Sequence, residues 1–444
     1  MVEDLPLRPH GRAWRAATML SAATEARQRT IPLHETRASG AHPLVLTLPC
    51  MTADAVSSPA PDFDPIDPDF IANPYPTYAR MRESCPVARA ERFGGYWVIS
   101  RYADVREAAR KPEVFSSHGG IVIPPAGNPM PFIPIELDPP EHSQYRQPMQ
   151  SWFSAKRMLE LEDDIREMVT ERLDGIVADG HADLCAEIAG PLPPMVIARL
   201  LGLDRSDWRQ FREMAEKMVD AAESGDEQAN IAAGGALLGY LWEQIEARRA
   251  APGDDMLTWM TRMEIDGEPI APDKVLGLAL FMLLAGHETS VSAIGAMLMH
   301  LARDQDAQKR LLDQPKIIPN TVEEILRYDP PIQNLARTVR QDVTVAGVDM
   351  VEGDRVLLCW ASANRDARVF SDADSLVIDR PNNAHVGFGN GVHRCLGANL
   401  ARLEMRVILE EVLRRIPGFR IADESRVVIG GVLARGPRVL PISW

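Results

Sequence analysis

Disulfide chemistry has little to work with in this chain: only five of 444 residues are cysteine, and Cys50, Cys85, Cys185, Cys359 and Cys395 lie far apart, with no C-x-x-C and no zinc spacing. That excludes a disulfide scaffold and points to a reducing, cytoplasmic setting. Positive charge is also short. With 48 Lys and Arg against 63 Asp and Glu, the formal net charge is −15, which argues against nucleic acid as a main partner and makes any basic docking patch a local feature. Long apolar runs are missing too. The most apolar, Val275 to Ala285, is too short to span a bilayer. It reads as a buried core helix, and with no N-terminal anchor in view no membrane partner is expected. What remains, 45% hydrophobic and 25% charged residues, is ordinary globular composition at a length within one large domain.

Against this background one stretch stands out, Phe388 to Gly397, which reads Phe-Gly-Asn-Gly-Val-His-Arg-Cys-Leu-Gly. Gly389 and Gly391 permit backbone angles and close approaches that let the loop lie against something bulky. Backbone N–H groups in such a turn stabilise a thiolate, the form of cysteine that binds metal. Gly397 removes a side chain where the following helix starts, and His393 and Arg394 place donors beside Cys395 that would suit a ligand carrying carboxylates. A solitary cysteine is more often a small buried hydrophobe. The surrounding pattern is what lifts this one out of that class.

At every fixed position the stretch resembles the haem-ligand signature Phe-Gly-x-Gly-x-His-x-Cys-x-Gly of the cytochrome P450 family, in its soluble bacterial form. The resemblance implies a mainly α fold with a small β-sheet, the haem-thiolate fold of that family in a single domain. It also implies haem b (iron protoporphyrin IX) held by the Cys395 thiolate, a ligand that favours O–O cleavage. Phe388, Gly389, His393 and Gly397 would belong to the same cofactor-binding loop. The likeness covers roughly Asp62 to Trp444. Residues 1–58, rich in Arg, Ala, Ser and Thr without a sustained period, are expected to be a disordered extension, and 59–444 the haem domain.

Other motifs follow in the family's order. Ile121 to Ile135 is Pro-rich and apolar, and resembles the loop over the substrate pocket in camphor-hydroxylating members, with Phe132 before Asp138-Pro-Pro-Glu. Those members carry a tyrosine where this chain has Met130. His142 and Arg146 stand one helical turn apart and resemble donors to a haem propionate, for which the planar Arg fork is suited; Arg337 resembles another. Helical patterns run over 159–177, 193–201, 207–222 and 236–249, and the small, polar segment 225–235 reads as a lid. The longest helical pattern, Asp273 to Arg303, holds Ala285-Gly286-His287-Glu288-Thr289. A glycine, a carboxylate and a hydroxyl in a water-poor helix are each costly. One explanation is a kink whose freed carbonyl is bonded by Thr289. The resemblance implies an oxygen-binding groove, with Thr289 bonding the oxygen substrate or its water and Glu288 relaying protons.

Glu324 and Arg327 match the family's E-x-x-R helix, a structural pair to be completed by a later arginine, here Arg380. The E-x-x-R spacing also occurs at Glu107, Glu246 and Glu411, so position along the chain decides. Ile332, Gln333, Asn334 and Leu335 would line the pocket, with Val432 and Leu433 closing it from another side. Arg394, Arg402, Arg406, Arg414 and Arg415 are candidates for a docking patch.

The implied reaction is insertion of one atom of O2 into an apolar small molecule, terpenoid-like by the camphor-type loop. No nucleotide-binding Gly-rich unit follows the cysteine loop, so electrons from NAD(P)H are expected through a separate ferredoxin and ferredoxin reductase. A peroxide-driven peroxygenase is one rival, against which Glu288 and Thr289 count. A non-catalytic haem-thiolate binding or sensor protein is the other, and Thr289 counts against it.

Overall fold

The computed structural model describes residues 63–124 and 131–444, except 205–206, 211–212, 215–216, 218–220 and 222–226. The 1–58 extension and Met130 lie outside the described residues, as does much of the 207–222 pattern. Short strands β1 (Val87–Ala90), β2 (Tyr96–Ile99), β3 (Phe115–Ser116), β4 (Leu335–Val339) and β5 (Arg355–Leu358) form one five-stranded sheet in the order β1-β2-β5-β4-β3. Only the β2–β5 pairing is parallel. Helices α1 (Glu141–Met149), α2 (Leu192–Leu201), α3 (Glu227–Ala250), α4 (Pro272–Ala302), α5 (Ile318–Tyr328) and α6 (Ala398–Arg415) build the larger part, and a hairpin of β6 (Val428–Gly430) and β7 (Gly436–Val439) closes against them.

α4 is the axis. Pro272 opens it at a position where a missing N–H costs nothing, and every residue from Ser290 to Met299 is buried. By length and composition alone this helix could cross a membrane. Its faces are instead covered by α2, α3, α6 and β7, which makes it the core helix of a folded domain. The 225–235 segment, read as a lid, is helical from Glu227 onward. Leu237, Leu238, Leu241 and Ile245 of α3 are buried in the main core, and that packing outweighs the roughly 1 kcal/mol each glycine costs inside a helix.

α5 fastens this bundle to the cysteine loop. Glu324 and Arg327 are fully buried, joined by two bonds of 2.8 Å. Arg380 Nε reaches the same carboxylate at 3.0 and 3.1 Å, the Val377 N–H at 2.8 Å and Asn383 Nδ2 at 3.0 Å. Arg327 spends its other donors on the carbonyls of Asn364, Ala373 and Ser375. Arginine bonding holds the Glu324 carboxyl below its ordinary pKa although desolvation pushes the other way. Asn364 then accepts from the Val386 N–H at 2.7 Å, two residues before Phe388.

A second buried knot centres on Asp329, at the end of α5. It accepts from Tyr75 Oη at 2.5 Å and Arg435 Nη1 at 2.6 Å, and pairs with His300 Nε2 at 3.0 Å. Arg435 also donates to the carbonyls of Ile71 and Ala72. The start of the described chain, the end of α4 and the C-terminal hairpin thus meet on one carboxylate.

Candidate active site

The cysteine loop is shaped by its backbone. The Cys395 N–H donates to Phe388 O at 2.8 Å, the Gly389 N–H donates to Val386 O at 2.9 Å, and Gly389 and Gly391 take φ of +70° and +74°. The close neighbour that Gly391 allows is protein: a Cβ there would stand 2.2 Å from Ala109 O. The Gly397 N–H points at the sulfur. Cys395 is exposed, but what it is exposed to is an internal cavity. Desolvation by the surrounding protein pushes the thiol pKa up, opposed by the Gly397 N–H and then by Arg146, Arg394 and Arg402. A coordinated metal would reverse the balance by deprotonating the sulfur outright.

The cavity, about 400 Å³, gathers Cys395, Phe388, Gly389, Gly397, His393, His142, Arg146 and Arg337 on one side. Its polar groups are short of partners. Both ring nitrogens of His142 and of His393 are buried without a hydrogen bond, as is Arg146 Nε, while Arg146 Nη2 donates to Arg394 O. The two imidazoles stack edge to face with centroids 4.4 Å apart. Burial, helped by Arg146, pushes His142 down to about 4. Burial with the Arg337 charge pushes His393 down to about 2. Arg337 is 2% exposed, its only hydrogen bond among the described residues goes to Ala336 O at 2.7 Å, and burial lowers it to about 10. Such unpaired donors are costly unless an anion meets them. Among the described residues, no cluster of His, Cys, Asp and Glu could hold a metal alone. A single sulfur with buried cationic donors around it fits an iron macrocycle that brings its own nitrogen ligands and carboxylates.

Across the cavity α4 presents Ala285, Gly286, Glu288 and Thr289. Gly286 is needed for packing: a Cβ there would meet Ile197 Cδ1 of α2 at 2.9 Å. The Thr289 hydroxyl donates back to Ala285 O at 2.9 Å, leaving its lone pairs to accept. Glu288 is held by Arg438 of β7 at 2.8 Å, a partner 150 residues away with no local signal in the sequence. Also unforeseen is Glu404 of α6, buried with one oxygen unpartnered; desolvation raises it to about 8 against a bond from Ser290.

The walls between are apolar. Phe132, tilted on Phe281 with centroids 5.7 Å apart, joins Ile121, Ile123, Ile332, Leu335, Val432 and Leu433. Asn334 also faces the cavity, whereas Gln333 turns away and donates to Pro330 O at 2.7 Å. The arginine patch is mostly neutralised. Arg402 pairs with Glu323, Arg406 with Glu162 and Glu410, Arg414 with Glu411, and Arg415 with Asp174. Arg394 alone of the five has no ion pair among the described residues, because the others lie on α6, where acidic residues of the same helix and of neighbouring elements reach them.

Comparison with known proteins shows what the chain is similar to. The family model described as Cytochrome P450 matches residues 240–420. The vitamin D(3) 25-hydroxylase of Pseudonocardia autotrophica is 36% identical over 84% of this chain and 94% of its own length. The linalool 8-monooxygenase of Pseudomonas putida is 32% identical over 80% and 91%. Among solved structures, CYP109E1 of Bacillus megaterium in complex with testosterone superposes with a TM-score of 0.78 at 30% identity, covering 85% of this chain and 99% of that one.

Proposed function

The chain belongs to the cytochrome P450 family, and from that premise we propose that it is a monooxygenase placing one atom of O2 into an apolar, terpenoid-like small molecule, with Cys395 as the residue whose thiolate would hold haem b. When bound, the haem supplies the oxygen-activating chemistry that a thiolate ligand promotes. The observation that carries the reading is the Cys395 sulfur opening into a largely apolar chamber whose buried cationic and imidazole donors lack partners.

In this reading His142, Arg146, Arg337 and His393 bind the two propionates. Arg337 supplies a fixed fork and the imidazoles supply N–H donors once their pKa is lifted by a nearby anion. Thr289 holds a proton or a water at its Oγ1 after giving up its bond to Ala285 O. Glu288 would pass a proton only after its carboxylate is freed from Arg438. Phe132, Ile332, Leu335, Val432 and Leu433 exclude water and set the shape that the substrate must fill. The relative named for linalool favours a terpenoid, while others named for vitamin D(3) and mycinamicin IV or solved with testosterone span larger molecules.

Electrons are assigned to a ferredoxin and its reductase, with exposed Arg394 as the cation beside the ligand loop that an acidic partner would meet. The cytoplasm is assigned because Cys85, Cys185 and Cys359 are buried free thiols. Peroxide-driven turnover is the second reading, favoured by the ion pair that ties up Glu288. The test is spectroscopic. Reduced protein under carbon monoxide should show the band of a thiolate-bound haem, Cys395→Ser should lose it, and terpenoids should move the Soret band from low to high spin. Haem uptake and band both unchanged in Cys395→Ser would sink the assignment, and turnover with hydrogen peroxide but none with a ferredoxin pair would select the second reading.

A further inference from the structure

Behind the cysteine loop lies a charged cluster that no step above uses. α5 carries Glu323 next to Glu324, and neighbouring positions on a helix face different ways. Glu324 turns into the core, whereas Glu323 meets α6. Arg402 forks onto both Glu323 oxygens, Nε at 2.5 Å and Nη2 at 2.8 Å. His385 Nε2 lies 3.0 Å from the same carboxylate, and its Nδ1 accepts the Gly387 N–H at 3.1 Å. With Nδ1 taken up as an acceptor, Nε2 is the nitrogen that carries the hydrogen toward Glu323. Desolvation raises the Glu323 carboxyl, but the bonds from Arg402 and His385 outweigh it and hold the group as a carboxylate, down to about 2. The Glu323 carboxylate and the Arg402 guanidinium thus cancel as a pair.

The cluster grips Phe388. The Arg402 guanidinium lies 4.5 Å from the ring centroid and the His385 ring 5.8 Å from it. Phe388 lines the cavity and its carbonyl accepts the Cys395 N–H. Arg402 also acts on the Cys395 sulfur through its charge. Glu323, His385 and Arg402 do not line the cavity themselves.

We propose that Glu323, His385 and Arg402 are positioning residues that keep the ground behind Phe388 electrically neutral and so set how readily the haem at Cys395 accepts an electron. The inference rests on the haem-thiolate reading. Taking up an electron adds negative charge at the site. An unmatched Arg402 therefore favours reduction and an unmatched Glu323 opposes it. Both side chains are a little over a quarter exposed, so solvent trims the effect without removing it.

The experiment is an equilibrium reductive titration of the haem-loaded protein, its Glu323→Gln and Arg402→Gln variants, and the double variant. Glu323→Gln should favour reduction by roughly threefold to tenfold, tenfold being about 59 mV for one electron. Arg402→Gln should disfavour it by a similar factor, and the double variant should return to the parent. Shifts of the same sign, or two unshifted singles, overturn the proposal. If Glu323→Gln retains too little haem to titrate, Arg402→Lys replaces it. Lysine keeps the charge and should keep the parent's potential while Arg402→Gln lowers it; equal shifts in those two overturn the proposal. Each titration is preceded by the carbon monoxide spectrum of the parent. A missing thiolate band there condemns the haem-thiolate reading, whereas a normal band with wrong-signed shifts condemns only this inference.

Discussion

Arg337 offers a test in which stability and cofactor affinity should move in opposite directions. Its guanidinium is 2% exposed, bonds only to Ala336 O among the described residues, and has its pKa drawn down from the ordinary arginine value to about 10 by burial. At 1.36 kcal/mol per pKa unit, that is a burden of about 3 kcal/mol on the cofactor-free fold. Replacing it with methionine, apolar and of similar reach, removes the charge and forfeits one hydrogen bond of about 1 kcal/mol. Arg337→Met should therefore stabilise the haem-free protein by about 2 kcal/mol, as replacing buried ions by packed hydrophobes often does. The same change removes a charge-assisted fork from a propionate and should weaken haem retention by about 2 kcal/mol, roughly thirtyfold. Urea unfolding of the haem-free protein gives the first number and the rate of haem loss to an acceptor globin bears on the second. A haem-free variant less stable than the parent, with haem retention unchanged, would refute the argument that this cation waits for an anion.

Three further outcomes follow from the geometry. Glu324→Gln leaves Arg327 and Arg380 buried without a counter-charge, and should destabilise the fold by about 3 kcal/mol or more; a melting temperature within a degree of the parent would contradict this. His142 has its folded pKa depressed from 6.5 to about 4. The unfolded chain therefore binds the extra proton first, and His142 should account for up to about 3 kcal/mol of the stability that the haem-free protein loses as pH falls from 6.5 to 4, a share that His142→Gln removes from pH-dependent unfolding while that of His393 remains. Thr289→Ala removes one methyl and the hydroxyl that bonds Ala285 O, a small loss that the fold should tolerate while NADH consumption uncouples from product. Tight coupling in that variant would leave Thr289 without a part in proton handling.

Local signals made much of the site legible. The cysteine loop, the hydroxyl of Thr289 and the acid–base spacing at Glu324 each sit within ten residues of their own context, and Arg380 was within reach because it follows α5 before the loop. What stayed hidden was long-range. Nothing near Glu288 announces Arg438, and nothing near Gly286 says that its missing side chain makes room for Ile197. The basic patch misled for the same reason. A run of arginines along α6 looks like a free cationic face until Glu162, Glu323 and Asp174 arrive from other elements. Segment 225–235, whose small residues suit a loop, runs as helix from Glu227 because the leucines that follow anchor α3 in the core, while Gln228, Ala229, Ile231 and Ala232 stay at the surface.

The knot at Asp329 has a practical side. Because Arg435 holds the carbonyls of Ile71 and Ala72 while Val432 and Leu433, a few positions upstream, wall the chamber, trimming or tagging the chain close to residue 70 tugs on the far end of the reaction vessel. An altered product profile from a shortened clone is then expected on two counts, the lost tether to the C-terminal hairpin and the loss of Pro65 and Ile66, which line the same chamber.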